Sequence, residues 1–309
     1  MSKPLKLGFV GFGEAGYHIA RGLRHAGLNE IGAYDIHTHT IGRGEKIQQR
    51  AQDAGVTLCE SNEVLATSCD ILLSTVTANQ AAEAAKQTAP YLTARHLYAD
   101  LNSVSPALKQ SIAQQVEARG ARFVEIAIMS PVPPHGAAVP MFLCGEHAPT
   151  LVALLAPFGM NLEVISDQIG AASATKMCRS VIVKGLESIL FESVLASVPY
   201  GADERVFATL NETMPGIDWK KLAGYMVGRV IEHGERRARE LEEVAATLEA
   251  IGVEPIMTEA IVRRQDWGAS LNLLPEFGGN PPEDYRVVVN AIRARLQKES
   301  NQNEPTAQP

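Results

Sequence analysis

Gly11-Phe12-Gly13-Glu14-Ala15-Gly16 is the stretch from which the rest of the chain takes its meaning. Before it, Leu5-Lys6-Leu7-Gly8-Phe9-Val10 is a short apolar run of the kind that forms a buried parallel strand. After it, Tyr17 to Gly27 carries apolar residues at helical spacing and ends on a glycine. A glycine turn between a strand and a helix start is where a dinucleotide pyrophosphate rests. Gly11 makes the tight turn, Gly13 lets the backbone approach the phosphates, and Gly16 lets helix and strand pack closely. The free N–H groups of the helix start add hydrogen bonds and a partial positive charge, so Phe12, Glu14 and Ala15 belong to the same cradle. A bare G-x-G-x-x-G is a weak signal; a strand before it and a helix after it make it specific.

At 309 residues the chain is long for a single core, and two domains are expected. An apolar content of 46% and a charged content of 20% are those of an ordinary globular protein. The formal net charge of −7 argues against a nucleic-acid partner, because binding by counterion release needs basic stripes. No apolar run approaches the length of a membrane span. The first strand starts so close to Met1 that no signal peptide is expected, and a cytoplasmic location follows as an expectation. Cys59, Cys69, Cys144 and Cys178 are scattered without C-x-x-C pairing and read as reduced thiols. The histidines show no H-E-x-x-H or comparable spacing, so no metal is expected. The tail 298–309 is polar and without periodicity, which reads as disorder.

Glu30 to Asp35 reads as a second strand ending in an acid. Asp35 lies 19 residues beyond Gly16, near the offset at which a carboxylate receives the adenosine ribose hydroxyls. A carboxylate there repels a 2′-phosphate, which favours NAD; His37, His39 and Arg43 follow closely and keep NADP open. A helix from about 43 to 54, a short strand near 56–58 and a helical turn over 62–67 come next. Asp70 to Val76 is a further buried strand, and His96 to Asp100 the fifth. In an open parallel sheet, ligands lie beyond the carboxyl ends of the strands, so Thr75, Val76, Thr77, Asn79 and Asn102 are expected to face the dinucleotide. Asn102 and Ser103 are small polar residues where its reacting part would lie, whereas Ser105 with Pro106 reads as a helix start. A sixth strand, 122–129, leads into Ser130-Pro131-Val132-Pro133-Pro134-His135-Gly136-Ala137, which cannot be regular structure. Strands near 139–145 and 162–165 flank a helix from about 148 and close a domain at about 166. This alternation predicts an α/β fold: a doubly wound Rossmann-type sheet over 1–166, followed by an all-α C-terminal domain over 167–297.

The helix from Ala171 to Glu192 is too long and too apolar for a surface helix and is expected to be buried along much of its length, although it carries Lys176, Arg179 and Lys184. Burial costs a charged lysine unless it is paired or its pKa falls, and a lysine shifted toward neutrality is a usable general base. Snorkelling to water is the competing reading of Lys176. Farther on, a helix over 218–248 places Leu222, Met226, Val230, Leu241, Val244 and Leu248 on one stripe, which His233, Arg237 and Glu240 continue. Polar groups on such a stripe read either as a buried ion-pair network or dimer contact, or as part of a substrate pocket. A helix over 256–269 and a last one to about Leu296 complete the chain.

Gly11–Gly16, then Asp100-Leu101-Asn102-Ser103-Val104-Ser105-Pro106, then Gly170-Ala171-Ala172 with Lys176, resemble the β-hydroxyacid dehydrogenase and 6-phosphogluconate dehydrogenase superfamily, in the same order and spacing across residues 5–195. The resemblance implies that Lys176 exchanges the proton of a substrate hydroxyl while hydride passes to a nicotinamide. It also implies that Asn102 and Ser103 bind substrate beside that ring, and that the protein is a homodimer. The departures are specific. The usual Ser-Gly-Gly after the sixth strand is here Met129-Ser130-Pro131, and the asparagine after the lysine is replaced by Arg179 and Ser180. Val183 stands where decarboxylating members carry a glutamate acid, which speaks against plain 6-phosphogluconate dehydrogenase. Arg179 offers a fork suited to a carboxylate or phosphate, its other reading being an internal ion pair. The sequence therefore points to an NAD(P)-dependent dehydrogenase acting on a hydroxyl of a small β-hydroxy acid or sugar acid. Lys176 is the catalytic group, and Ser103, Ser130, Arg179, Ser180, His233 and Arg237 are the candidates to hold the anionic substrate. An imine or keto-acid reductase, or a non-catalytic dinucleotide-binding protein, is the alternative; the retained lysine speaks against both.

Overall fold

The structure, a computed structural model, describes residues 4–303. It divides into two compact units, one up to Lys176 and one from Met177 onward. The first is built in chain order from β1 (Lys6–Val10), α1 (Glu14–His25), β2 (Glu30–Tyr34), α2 (Gly44–Ala54), β3 (Thr57–Leu58), α3 (Asn62–Ser68), β4 (Ile71–Ser74), α4 (Ala81–Thr88), β5 (Leu97–Asp100), α5 (Pro106–Glu117), β6 (Arg122–Ile128), β7 (Met141–Cys144), α6 (Ala148–Leu155) and β8 (Leu162–Ser166). The eight strands form one sheet in the order β3-β2-β1-β4-β5-β6-β7-β8.

Side-chain alternation along the strands divides the core into two layers. Leu7 and Phe9 of β1, Ile71 and Leu73 of β4, and Val124 and Ile126 of β6 pack with Ile19 and Leu23 of α1, Ile47 of α2 and Leu151 of α6. Val10, Leu72, Tyr98 and Phe123 point the other way, to Leu65 of α3, Ala85 of α4, and Ile112 and Val116 of α5. Strands buried on both faces read as continuous apolar runs, which is why these segments show so little polar alternation. The doubly wound fold follows directly. Two strands depart from it: β7 runs antiparallel to β6, with Ile128 opposite Met141, and β8 runs parallel to β7 and so against the other six. The segment between β6 and β7 holds only a short 3-10 turn at Gly136–Ala138. Without a crossover helix the chain can return only antiparallel.

Two carboxylates and one ammonium lie inside this apolar frame. Asp100 and Glu125 are register partners on the parallel strands β5 and β6, and neither is exposed to solvent. Lys109 of α5, equally buried, donates from Nζ to Asp100 Oδ1 at 2.5 Å and to the Asp100 carbonyl at 2.8 Å. Its position belongs to the apolar stripe Lys109, Ile112, Ala113, Val116 that turns α5 onto the sheet.

The second unit is helical: α7 (Ala171–Ser197, which starts in the first unit), α8 (Asp203–Thr213), α9 (Trp219–Ala250), α10 (Ile256–Ser270) and α11 (Tyr285–Asn303). Its core gathers Phe191 and Val194 of α7, Phe207 of α8, Val227 and Val230 of α9, and Val288 and Ile292 of α11. Two sequence expectations are corrected here, and one helix carries too weak a pattern to be read: α8 turns only Phe207 and Asp203 inward. Helix α11 continues to Asn303, so 298–303 is helical rather than tail, and 304–309 lie outside the described residues. Helix α7 buries its polar side: Lys184 and Glu187 are 4% and 0% exposed, while Ile182 and Ile189 are 67% and 57% exposed.

Replacing Asp100 by alanine strands the Lys109 ammonium in the sheet interior. Removing one partner of a buried ion pair costs about 3–5 kcal/mol. Urea unfolding of Asp100→Ala should register a loss of that order, partly restored by adding Lys109→Met; a loss below about 1 kcal/mol contradicts the structural role given to the pair.

Candidate active site

The glycine turn has the geometry a phosphate cradle needs. Gly11 adopts φ +84°, and a Cβ there would lie 2.5 Å from Val76 Cγ1. A Cβ on Gly16 would lie 2.8 Å from Thr75 Oγ1. Both positions are closed to any side chain by the β4 end. Gly13 is different: nothing lies within 4 Å of where its Cβ would be, and no side chain caps α1 there. The N–H groups of the first turn, past Glu14 and Ala15, are thus left to a ligand, with the positive end of the helix dipole behind them. Phe12 turns its ring into the core, and its N–H donates to Asp35 Oδ2 at 2.8 Å. Asp35 Oδ1 accepts from the His37 N–H at 2.9 Å, so this carboxylate is fixed just beyond β2. His37, His39 and Arg43 are exposed around it. These residues fit a bound dinucleotide: an open backbone cradle for the pyrophosphate and a held acid at the ribose offset.

The carboxyl ends of β1, β4, β5 and β6 share one edge of the sheet. Thr75 donates from Oγ1 to the Gly11 carbonyl at 2.7 Å, tying the β4 end to the turn. The Val76 N–H donates to Asn102 Oδ1 at 2.8 Å. Asn102 donates in turn to Ser74 Oγ and to Asp100 Oδ2, at 2.9 and 3.0 Å. Asn102 is 4% exposed and spends its amide on this network; it shapes the edge more than it offers a free donor. Thr77 and Asn79, bonded to one another at 2.7 Å, are exposed. Ser103 is exposed next to Asn102, and Ser130 is half-buried just past the end of β6.

Lys176 is half-buried, and its Nζ donates to Ser103 Oγ at 2.6 Å. The amine is therefore brought to the carboxyl end of β5. The group that anchors its helix escapes sequence reasoning. Glu125 accepts the Gly170 N–H on Oε2 at 2.5 Å and the Ser173 N–H on Oε1 at 2.7 Å. The signal for it was present, a lone carboxylate inside Phe123-Val124-Glu125-Ile126-Ala127-Ile128, as was the one for Lys109 on an apolar helical stripe.

The remaining candidates belong to the second unit and are described within it. Arg179 is exposed and Ser180 half-buried. Arg237 is corrected: its Nε donates to Glu187 Oε2 at 2.8 Å and its Nη2 to Glu187 Oε1, with Gln265 Nε2 on the same carboxylate at 3.0 Å. That fork is spent on a buried acid, as the ion-pair reading has it, and not on a substrate. His233 is half-buried; burial, then Arg229, hold its pKa below the usual histidine value against the pull of Glu232, so the imidazole is neutral at pH 7. Lys184 meets Glu240 Oε2 at 2.8 Å; burial pushes the amine's pKa down, and Glu240 works in the opposite direction. Among the described residues no His, Cys, Asp and Glu cluster could hold a metal ion, and no helix is long and apolar enough to cross a membrane.

Residues 6–132 match the NAD binding domain of 6-phosphogluconate dehydrogenase, and residues 199–268 match a domain of unknown function, DUF1932. A conserved hypothetical protein from Sinorhizobium meliloti 1021 is 33% identical, its structure superposing with a TM-score of 0.81 over 95% of this chain and 97% of its own. A conserved protein of unknown function, whose structure is described as similar to 3-hydroxyacid dehydrogenases, is 30% identical with a TM-score of 0.74, covering 86% of this chain and 97% of that one. The mitochondrial 3-hydroxyisobutyrate dehydrogenase of Drosophila melanogaster is 25% identical over 221 residues, 69% of this chain and 64% of that protein.

The open space at Gly13 gives a selective test. Gly13→Ala places a methyl where the fold has nothing but a phosphate would approach. Its Tm should stay within about 2 °C of wild type while NADH affinity, followed by fluorescence, falls about tenfold. Unchanged affinity contradicts the cradle.

Proposed function

This chain belongs to the 6-phosphogluconate dehydrogenase-like family of nicotinamide-dinucleotide-binding proteins, with a DUF1932 domain behind its NAD-binding domain, and from that premise we propose that it is a dehydrogenase for a hydroxyl group of a small β-hydroxy acid or sugar acid. The observation that carries the proposal is the 2.6 Å contact between Lys176 Nζ and Ser103 Oγ at the carboxyl end of β5. It unites the two blocks of sequence that the resemblance assigns to proton transfer and to substrate binding.

When bound, the dinucleotide supplies the hydride acceptor. The protein's part is acid–base and positional. Lys176 takes the proton that leaves the substrate hydroxyl and returns it in the reductive direction. Ser103 presents a hydroxyl to the same substrate, and Ser130 is the candidate for its acid group, in place of the family's Ser-Gly-Gly. Asn102, held by Asp100 and Ser74, keeps the Val76 backbone in place at the sheet edge that would hold the dinucleotide. Asp35 favours NAD over NADP, since a fixed carboxylate repels a 2′-phosphate. Fixing amine, hydroxyl and acceptor together supplies much of the rate in such a reaction.

A homodimer is proposed for the same protein. Its support is the exposed stripe Ile182, Leu186, Ile189 on α7, apolar side chains that a monomer leaves in water.

Two measurements test these readings. A screen over hydroxy acids and sugar acids with NAD and with NADP should find turnover, faster with NAD. On the best substrate Lys176→Ala should lose about a hundredfold or more in kcat while still binding NADH. Wild-type turnover by that variant contradicts the assignment. Light scattering should give twice the chain mass, moving toward the monomer in Ile189→Glu; a wild-type monomer contradicts the dimer.

A further inference from the structure

We infer that Glu125 is a positioning residue: a strand-borne carboxylate that caps the helix carrying Lys176 and thereby sets where its amine meets Ser103. The inference rests on the reading of Lys176 as the proton-transfer group only in what it is for. Its geometry stands by itself within the first unit.

A helix ordinarily caps itself. The residue at its N-cap turns back a side-chain oxygen to accept the N–H two or three positions on. The residue preceding α7 is Gly170, at φ +108°, and it has no side chain to offer. The N–H of Ser173, third residue of the helix, and that of Gly170 itself are both taken by Glu125, from the middle of β6 and more than forty residues earlier in the chain. Ser173 Oγ is turned back to the Gly170 carbonyl at 3.1 Å. Replacing a local cap by one from the sheet has a mechanical consequence. A local cap fixes only the helix to its own start, whereas this one fixes the helix to the strand. Lys176 follows Ser173 by three residues, so it projects from the same face nearly one turn on.

The other end of the contact hangs from the neighbouring strand at the same level. Asp100, the register partner of Glu125, accepts the Asn102 N–H at 3.0 Å and holds the Asn102 amide, and Ser103 is the next residue. Two side-by-side buried carboxylates therefore hold the two halves of one hydrogen bond. They are neutralised differently. Asp100 has the Lys109 ammonium, and Glu125 has two backbone N–H groups and the positive end of a helix dipole. Glu125 is thus committed to the helix start, and its removal acts on the amine through the backbone.

The test uses the full chain and two readouts. Glu125→Gln keeps the size but turns an N–H donor toward an N–H donor at Gly170 or Ser173. Acetylation of Lys176 by acetic anhydride, mapped by peptide mass spectrometry against exposed Lys86 as reference, should speed up at least fivefold. In turnover, kcat should fall tenfold or more and its pH profile should shift, while NADH affinity stays within twofold, a split that general destabilisation does not produce. Labelling and kcat both within twofold of wild type overturn the inference. Faster labelling with unchanged kcat leaves Glu125 as the positioning group and overturns instead the catalytic reading of Lys176. Where Glu125→Gln gives no folded protein by circular dichroism, Glu125→Asp is read the same way. One methylene shorter, it must draw the helix in or release one N–H, and an unaltered labelling ratio then refutes the inference.

Discussion

Parallel pairing of β5 with β6 puts Asp100 beside Glu125 in the interior of the sheet, and the geometry of the candidate site follows from how each carboxylate is satisfied. Unpaired, either would be an intolerable cost in so apolar a layer. Lys109 reaches Asp100 from the helix that covers this face, and the backbone at the start of α7 reaches Glu125. Asp100 also holds Asn102, the neighbour of Ser103, and Glu125 holds the helix that bears Lys176. Solving a burial problem and assembling a site are here one arrangement.

The same edge of the sheet explains why the glycine turn, the β4 end and Asn102 behave as one piece. Thr75 is bonded to the Gly11 carbonyl, Val76 to Asn102, and Asn102 to Asp100. A chain of direct hydrogen bonds thus runs from the phosphate turn to the buried ion pair. Gly13 and the first turn of α1 are left open, which is where a ligand's phosphates would enter. Rigid support with one uncovered stretch of backbone is what pre-organised binding requires.

The order of strands and helices in the first unit was legible because its central strands β1, β4, β5 and β6 are buried on both faces and helices such as α1, α2 and α5 show one buried stripe. The glycine motif was legible because its strand and helix flank it. Periodicity alone could not reveal that β7 returns antiparallel, since direction depends on what connects two strands and not on their composition. Nor could it assign the polar residues of the second unit. Arg237 lies on the core stripe of α9 whether it meets a substrate or a carboxylate, and only Glu187 on α7 distinguishes the two. Helix α7 misled in the opposite sense. Its apolar content argued for burial, yet Lys184 and Glu187 face inward because each finds a partner, and Ile182 and Ile189 face out. Glu125 was visible as a lone acid in an apolar strand, but its target 45 residues away was not.

In the proposed enzyme the sheet edge and the α7 start present a hydroxyl and an amine to one reacting carbon. A crystal structure with NAD and an unreactive β-hydroxy acid analogue measures this most directly. The nicotinamide should lie at the carboxyl ends of β4 and β5, with the analogue's hydroxyl within hydrogen-bond distance of Lys176 Nζ and its chain against Ser103. An analogue bound elsewhere, with Lys176 still on Ser103 and more than about 5 Å from the nicotinamide, would contradict that arrangement.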